Sequence, residues 1–266
     1  MLDTVRGFMF DVDGTLLHRG PDGRGRPQPG AVEVLEQIRA SGRKLVLFTN
    51  ASHVPSAAVA ARLRDDGLPV ADDEVLTPTD SAITFLRTRH AQARVLLFAS
   101  EAIREHMARA GVTVTDDEDA GAVFVAHQEE VQLSSIERAA RAVRRGAPLF
   151  TSSYVAGYAG ANGMIFSRGA MITAAIAKVS AVRPRVLGKP SRAAVQALHA
   201  RLGVPTRELA VVGDDLDMDI ALGRMGGCAT ILVRSGISGA IDLARVPERR
   251  RPDTVIDGVA ELLALL

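Results

Sequence analysis

Asp11 and Asp13 stand on either side of Val12, are followed by Gly14 and Thr15, and come directly after the apolar run 5–10. In an extended segment, residues two apart lean to the same side, so both carboxylates can address one reacting atom. Paired carboxylates can divide the work of phosphoryl transfer. One attacks phosphorus and forms an acyl phosphate. The other protonates the departing alkoxide and then takes a proton from water, worth roughly 10²–10⁴ in rate. An Asp-Gly turn that merely closes a strand is the plain alternative. The full Asp-x-Asp-Gly-Thr string, however, is expected by chance in only about one chain in several hundred of this length.

Carboxylates that face a phosphate need compensating positive charge. Oxygen-only ligands suit a hard cation such as Mg²⁺, and a lysine can supply the rest. Residues 213–219 read Gly-Asp-Asp-Leu-Asp-Met-Asp. Four aspartates in that stretch exceed what helix capping asks for, and a metal would relieve their repulsion. Lys189, enclosed in Gly188-Lys189-Pro190, is the candidate lysine. Thr49-Asn50 offers a hydroxyl, an amide and backbone N–H groups that could hold phosphoryl oxygens; taken alone it reads equally well as a turn.

These residues must be brought together by the elements between them. Short apolar runs at 5–10, 44–48, 94–98, 122–126, 147–151, 208–212 and 229–233 read as strands. Helical spacing occupies 30–41, 55–66, 79–90, 101–110, 134–145, 168–179, 191–202 and 258–265. Such alternation predicts an α/β fold with largely parallel sheets covered on both faces. Ligands of open parallel sheets sit beyond the carboxyl ends of the strands, and Asp11, Thr49 and Asp214 each follow one. The stretch 20–30, dense in Gly, Pro and Arg, reads as an irregular loop.

Composition narrows the class. Hydrophobic residues make up 47% and charged residues 24%, and 32 basic side chains nearly cancel 31 acidic ones. A formal charge of +1 supplies no field for gripping nucleic acid. Cys228 is the sole cysteine, which excludes an internal disulfide or a thiolate metal cage and points to a reducing cytoplasm. No apolar run approaches the ~20 residues of a membrane helix, and no signal peptide opens the chain. The expected partner is a small-molecule phosphate ester, with neither nucleic acid nor membrane.

Taken in order, Asp-x-Asp-Gly-Thr, Thr-Asn, Gly-Lys-Pro and Gly-Asp-Asp…Asp resemble the haloacid-dehalogenase-like (HAD) phosphohydrolases. Their spacing is similar to class IIA, the p-nitrophenylphosphatase/sugar-phosphatase-like branch. The resemblance implies a Rossmann-like parallel-sheet HAD core, residues 1–79 and 182–266, with an inserted α/β C2-type cap at 80–181. It implies Asp11 as nucleophile and Mg²⁺ ligand, and Asp13 as general acid/base that also gives its backbone carbonyl to the metal. Thr49 and the Asn50 N–H would bind the phosphoryl group, and Lys189 would neutralise Asp11 and phosphate. Asp214 would ligate Mg²⁺ directly and Asp219 would support it. In the cap, Arg168 and Tyr154 are the candidates for reading the substrate, and similar proteins dimerise through this domain. Met218 stands where Thr commonly precedes the last Asp, and Thr151-Ser152-Ser153-Tyr154 replaces a usual Thr-Asn-x-Asp. None of the six histidines forms a ligand-spaced pair, so all read as structural or solvated. The implied activity is Mg²⁺-dependent hydrolysis of a phosphomonoester through an aspartyl-phosphate. A phosphotransferase or phosphomutase acting on a sugar phosphate shares the first half-reaction, and a catalytically silent binding protein is the non-enzyme alternative.

Overall fold

Four-residue and five-residue runs without a polar break, such as Gly7–Phe10 and Leu209–Gly213, are buried along their whole length. That is the signature of parallel strands covered on both faces. In the computed structural model, which describes residues 2–20, 23–160 and 163–266, six such strands form one sheet. Their spatial order is Thr254–Ile256, Ala229–Val233, Leu209–Gly213, Gly7–Phe10, Lys44–Phe48 and Val75–Leu76. All neighbours are parallel, and Gly7 is in register with both Leu209 and Lys44. From Gly7–Phe10 the chain moves to one side of the sheet, and from Leu209–Gly213 to the other. The order therefore reverses between these two strands, which opens a crevice at their carboxyl ends.

Helix Ala31–Ala40 buries Ala31, Val34, Leu35 and Ile38 at helical spacing. Helix Arg192–Leu202 contributes Ala194, Leu198 and Leu202 to a core shared with Met9, Val46, Phe48 and Val211. Two sequence expectations are corrected here. Residues 259–264 form a 3-10 helix in place of an α-helix, because the buried residues, Val259 and Leu262, are three apart, the spacing a 3-10 turn stacks. The stretch 20–30 contains a strand, Gly25–Pro27, paired antiparallel with Leu17–Arg19. Asp66 anchors it by accepting from the Gly25 N–H at 3.1 Å, a contact that composition does not reveal.

The chain divides into two compact units. One comprises Met1–Thr49, Ser56–Leu76 and Pro190–Leu266; the other comprises Asn50–Pro55 and Thr77–Lys189. The second unit has its own parallel sheet, ordered Arg185–Val186, Leu149–Thr151, Ala122–Val125, Val95–Phe98 and Val114–Thr115. Helices Leu133–Arg144 and Arg168–Ser180 bury Val143, Ile172 and Ile176 against Leu96, Val123 and Leu149 on one face. On the other, Phe85 of helix Pro78–Arg89 meets Phe150 edge-on, ring centroids 5.3 Å apart. Helix Pro78–Arg89 begins with a capping box between Thr77 and Asp80. Among the described residues, no helix is long and apolar enough to cross a membrane.

Candidate active site

The strand register builds the first part of the site. Asp11 N–H donates to the Val212 carbonyl at 2.9 Å, which carries the pairing one residue past the strand and sets Asp11 beside Gly213-Asp214. The chain then turns tightly, with the Val12 carbonyl accepting from the N–H groups of Leu16 and Leu17, both at 2.9 Å. Gly14 sits at φ +90°, a conformation that favours glycine, and a Cβ there would come 2.5 Å from Asp214 Oδ2. The glycine of Asp-x-Asp-Gly-Thr is thus explained by the carboxylate of a motif two hundred residues away.

The four aspartates of the second motif divide by direction. Residues 216–220 form a π-helical turn in which Ile220 N–H reaches back to the Asp215 carbonyl at 3.1 Å. Such wide turns often occur at functional sites. Asp215 caps this turn, its Oδ1 accepting from the N–H groups of Asp217 at 2.7 Å and Met218 at 3.2 Å. Asp217 points outward to Arg250. Asp214 and Asp219 point inward, only 2% and 1% exposed. Gly213 makes room for the latter, since a Cβ would overlap the Asp219 carboxylate.

Asp11, Asp214 and Asp219 each bring one carboxylate oxygen within 4.8 Å of the others. This buried, oxygen-only set can hold a metal ion. Burial pushes the Asp214 carboxyl up to about 6, and repulsion from Asp219 adds to it against the opposing hydrogen bond from Ile237 N–H. A divalent cation would reverse that penalty. The fit is chemical as well as geometric.

Asp13 does not join this cluster. Its carboxylate is half exposed and pairs with Arg19 Nε at 2.6 Å. Thr49 ends strand Lys44–Phe48 and is buried, with its N–H donating to the Leu76 carbonyl at 3.2 Å. The remaining sequence candidates belong to the second unit. Asn50 is exposed there. Lys189, its last residue, is 1% exposed. Gly188 before it lies so close to the Ser152 carbonyl oxygen that a Cβ would overlap it. Tyr154 is exposed on the segment after strand Leu149–Thr151. Arg168, the first residue of its helix, pairs with Glu129 at 2.7 Å.

Sequence reasoning missed the loop after strand Ala229–Val233. Ile237 N–H donates to Asp214 Oδ2 at 2.7 Å, and Ser238 N–H to the Asp214 carbonyl at 3.0 Å. Ser238 Oγ accepts from Leu216 N–H at 3.1 Å, and Ser235 Oγ donates to the Gly14 carbonyl at 2.6 Å. The available signal was Ser235-Gly236 and Ser238-Gly239 directly after a strand, a fourth polar strand end. A Cβ at Gly236 would fall inside the Asp214 carboxylate. Gly236→Ala should therefore weaken divalent-cation binding by ~10-fold or more while leaving the far sheet edge intact. Titration calorimetry of both proteins checks this, and equal affinities would refute the cradle.

Comparison with known proteins accords with this geometry. Residues 8–113 match the family model for haloacid dehalogenase-like hydrolases, and residues 186–262 match a HAD-hydrolase-like model. The ribonucleotide monophosphatase NagD of Escherichia coli K12 is 30% identical over 261 residues, covering 97% of this chain and 98% of that protein. An acid sugar phosphatase of Staphylococcus epidermidis is 26% identical and covers 90% of each chain. Among solved structures, a p-nitrophenyl phosphatase from Archaeoglobus fulgidus superposes with a TM-score of 0.86 at 27% identity, covering 98% of this chain and 99% of that one.

Proposed function

The chain belongs to the haloacid dehalogenase-like hydrolases and is a phosphatase of small-molecule phosphomonoesters, and we propose that it passes the phosphoryl group first to Asp11 and then to water. The observation that carries this reading is the meeting of three buried carboxylates at the crevice where the strand order reverses. In the first step an Asp11 oxygen attacks phosphorus and the bond to the leaving oxygen breaks, that oxygen taking its proton from Asp13. In the second, Asp13 accepts a proton from water as the water oxygen attacks phosphorus, and the Asp11 carboxylate departs. Asp11, Asp214 and Asp219 would hold Mg²⁺, with the Asp13 carbonyl beside them; the ion supplies charge neutralisation for the phosphoryl oxygens.

Thr49 and the Asn50 N–H bind phosphoryl oxygens in this reading, and Lys189 offsets the charge of Asp11 and phosphate. The unit Asn50–Pro55 with Thr77–Lys189 is the cap, with Arg168 and Tyr154 reading the leaving group. Self-association through this unit is supported by the apolar side chains of Tyr158, Met164 and Phe166, exposed on its hairpin.

Hydrolysis of p-nitrophenyl phosphate with and without a chelator tests the whole scheme. Release of inorganic phosphate should fall to background on chelation and return with added Mg²⁺. Turnover that ignores chelation would refute the metal, and transfer to an added alcohol without phosphate release would refute water as acceptor. Asp13→Asn should slow alkyl phosphates by ~10²-fold or more but p-nitrophenyl phosphate far less, because p-nitrophenolate leaves without a proton. A uniform loss across leaving groups would remove Asp13 from the acid role.

A further inference from the structure

Strand Leu17–Arg19 leaves the turn that carries Asp13 and stays tied to it. Leu17 forms an isolated parallel bridge with Asp13, and its carbonyl accepts from Gly14 N–H at 2.8 Å. Leu17 is fully buried, which roots the strand in the core. Arg19, two residues on, is partly exposed and reaches back, its Nε 2.6 Å from Asp13 Oδ1.

The same guanidinium meets a second carboxylate. Arg19 Nη1 donates to Asp66 Oδ2 at 3.4 Å. The other Asp66 oxygen accepts from the N–H of Gly25, the residue directly opposite Arg19 in the hairpin. Asp66 follows helix Ser56–Asp65, and its own N–H donates to the Arg62 carbonyl at 2.9 Å. Its approach to the hairpin needs a glycine there, because a Cβ on residue 25 would come 2.5 Å from Asp66 Oδ2. Asp13, Arg19 and Asp66 all belong to the first compact unit.

This chain of contacts fixes a direction. A guanidinium presents its donors in a rigid planar fork, so seating Nη1 on Asp66 also aims Nε. A half-exposed aspartate left to itself samples several side-chain rotamers. Proton transfer needs the one that brings the carboxyl within hydrogen-bond reach of the leaving oxygen. A partly exposed ion pair adds little to stability. Its removal should therefore show in the rate and not in the fold.

We propose that Arg19, braced by Asp66, is the positioning residue for Asp13. Arg19 occupies Oδ1 and leaves Oδ2 to give a proton to the leaving oxygen and to take one from water. This inference rests on the acid/base reading of Asp13 above and adds the side chains that aim it.

The test measures kcat/KM for phenyl phosphate and p-nitrophenyl phosphate in the full-length protein with Mg²⁺. The variants are Arg19→Met, Asp66→Asn, Asp13→Asn and the double variant Arg19→Met with Asp13→Asn. Phenolate needs a proton on departure far more than p-nitrophenolate does. Arg19→Met should lower kcat/KM for phenyl phosphate by about 10-fold or more, and for p-nitrophenyl phosphate by less than about 3-fold. In Asp66→Asn the amide oxygen stays on Gly25 N–H and the amide NH₂ faces Arg19, so the same pattern should appear at about 3-fold. In the Asp13→Asn background, Arg19→Met should cost less than about 2-fold further for phenyl phosphate, because the group it aims is gone. The Ki for inorganic phosphate should stay within about 2-fold in Arg19→Met.

Equal losses for the two esters, a full loss in the Asp13→Asn background, or a Ki shift as large as the loss in kcat/KM would make Arg19 structural and overturn the proposal. An Asp66→Asn protein that matches the natural one overturns the brace. If Asp13→Asn slows both esters equally, the acid reading of Asp13 fails and this proposal falls with it. Absence of phosphate release from either ester by the natural protein is a separate result, the failure of the phosphatase reading itself.

Discussion

Replacing Asp11 by asparagine should lower kcat for p-nitrophenyl phosphate by ~10⁴-fold or more, the scale seen when a covalent nucleophile is removed. An amide oxygen carries no full negative charge and does not attack phosphorus at a useful rate. The fold should survive, because the hydrogen bond from its backbone N–H to the Val212 carbonyl is left in place by the substitution. One of three crowded carboxylates is also gone, which removes repulsion from a buried cluster. Quenched single-turnover experiments with labelled substrate should trap phosphate on the natural protein and none on Asp11→Asn. Comparable turnover by the two proteins would defeat the assignment.

Asp214→Asn should push activity and stability in opposite directions. Losing a carboxylate from the oxygen set should cost at least ~10²-fold in Mg²⁺-supported kcat/KM. The folded-state value of Asp214 is raised from 3.8 to about 6. A carboxyl shifted upward contributes stability in full below its unfolded pKa and loses it as pH rises through the folded value. Ionised Asp214 is therefore a burden on the chelated protein at pH 7, of about 3 kcal/mol, and Asn lifts it while keeping an oxygen to accept from Ile237 N–H. Thermal unfolding at pH 7 in chelator should show the variant more stable, with the advantage shrinking as pH falls from about 6 toward 4. Mg²⁺ should raise the midpoint of the natural protein only. A variant that is both less active and less stable at pH 7 would refute the crowded-carboxylate account.

Much of this architecture follows from local pattern. The runs 7–10, 44–48 and 209–213 are apolar without interruption because parallel strands are buried on both faces, so they stand out in the chain. Helices such as Ala31–Ala40 show their buried stripe at i, i+3, i+4 and i+7. Asp11 and Asp214 were legible because each follows such a strand. Shorter strands escaped, including Val75–Leu76, Val114–Thr115 and Arg185–Val186, each of two residues. Two residues have no period to detect, and partners far along the chain make them strands.

Residue types and their order along the chain thus determined which groups are available for chemistry: carboxylates after strands, a lysine between glycine and proline, a Thr-Asn turn. Direction was decided by tertiary structure alone. Asp13 and Asp217 turn outward to Arg19 and Arg250, while Asp11, Asp214 and Asp219 turn inward. Hydrogen bonds from Ser235, Ile237 and Ser238 frame that arrangement, and the sequence records no pairing between them and residues 14 to 216. The physical reason is that a carboxylate's environment is set by which backbone crosses it. That crossing is chosen by strand order, which no local spacing of residues encodes.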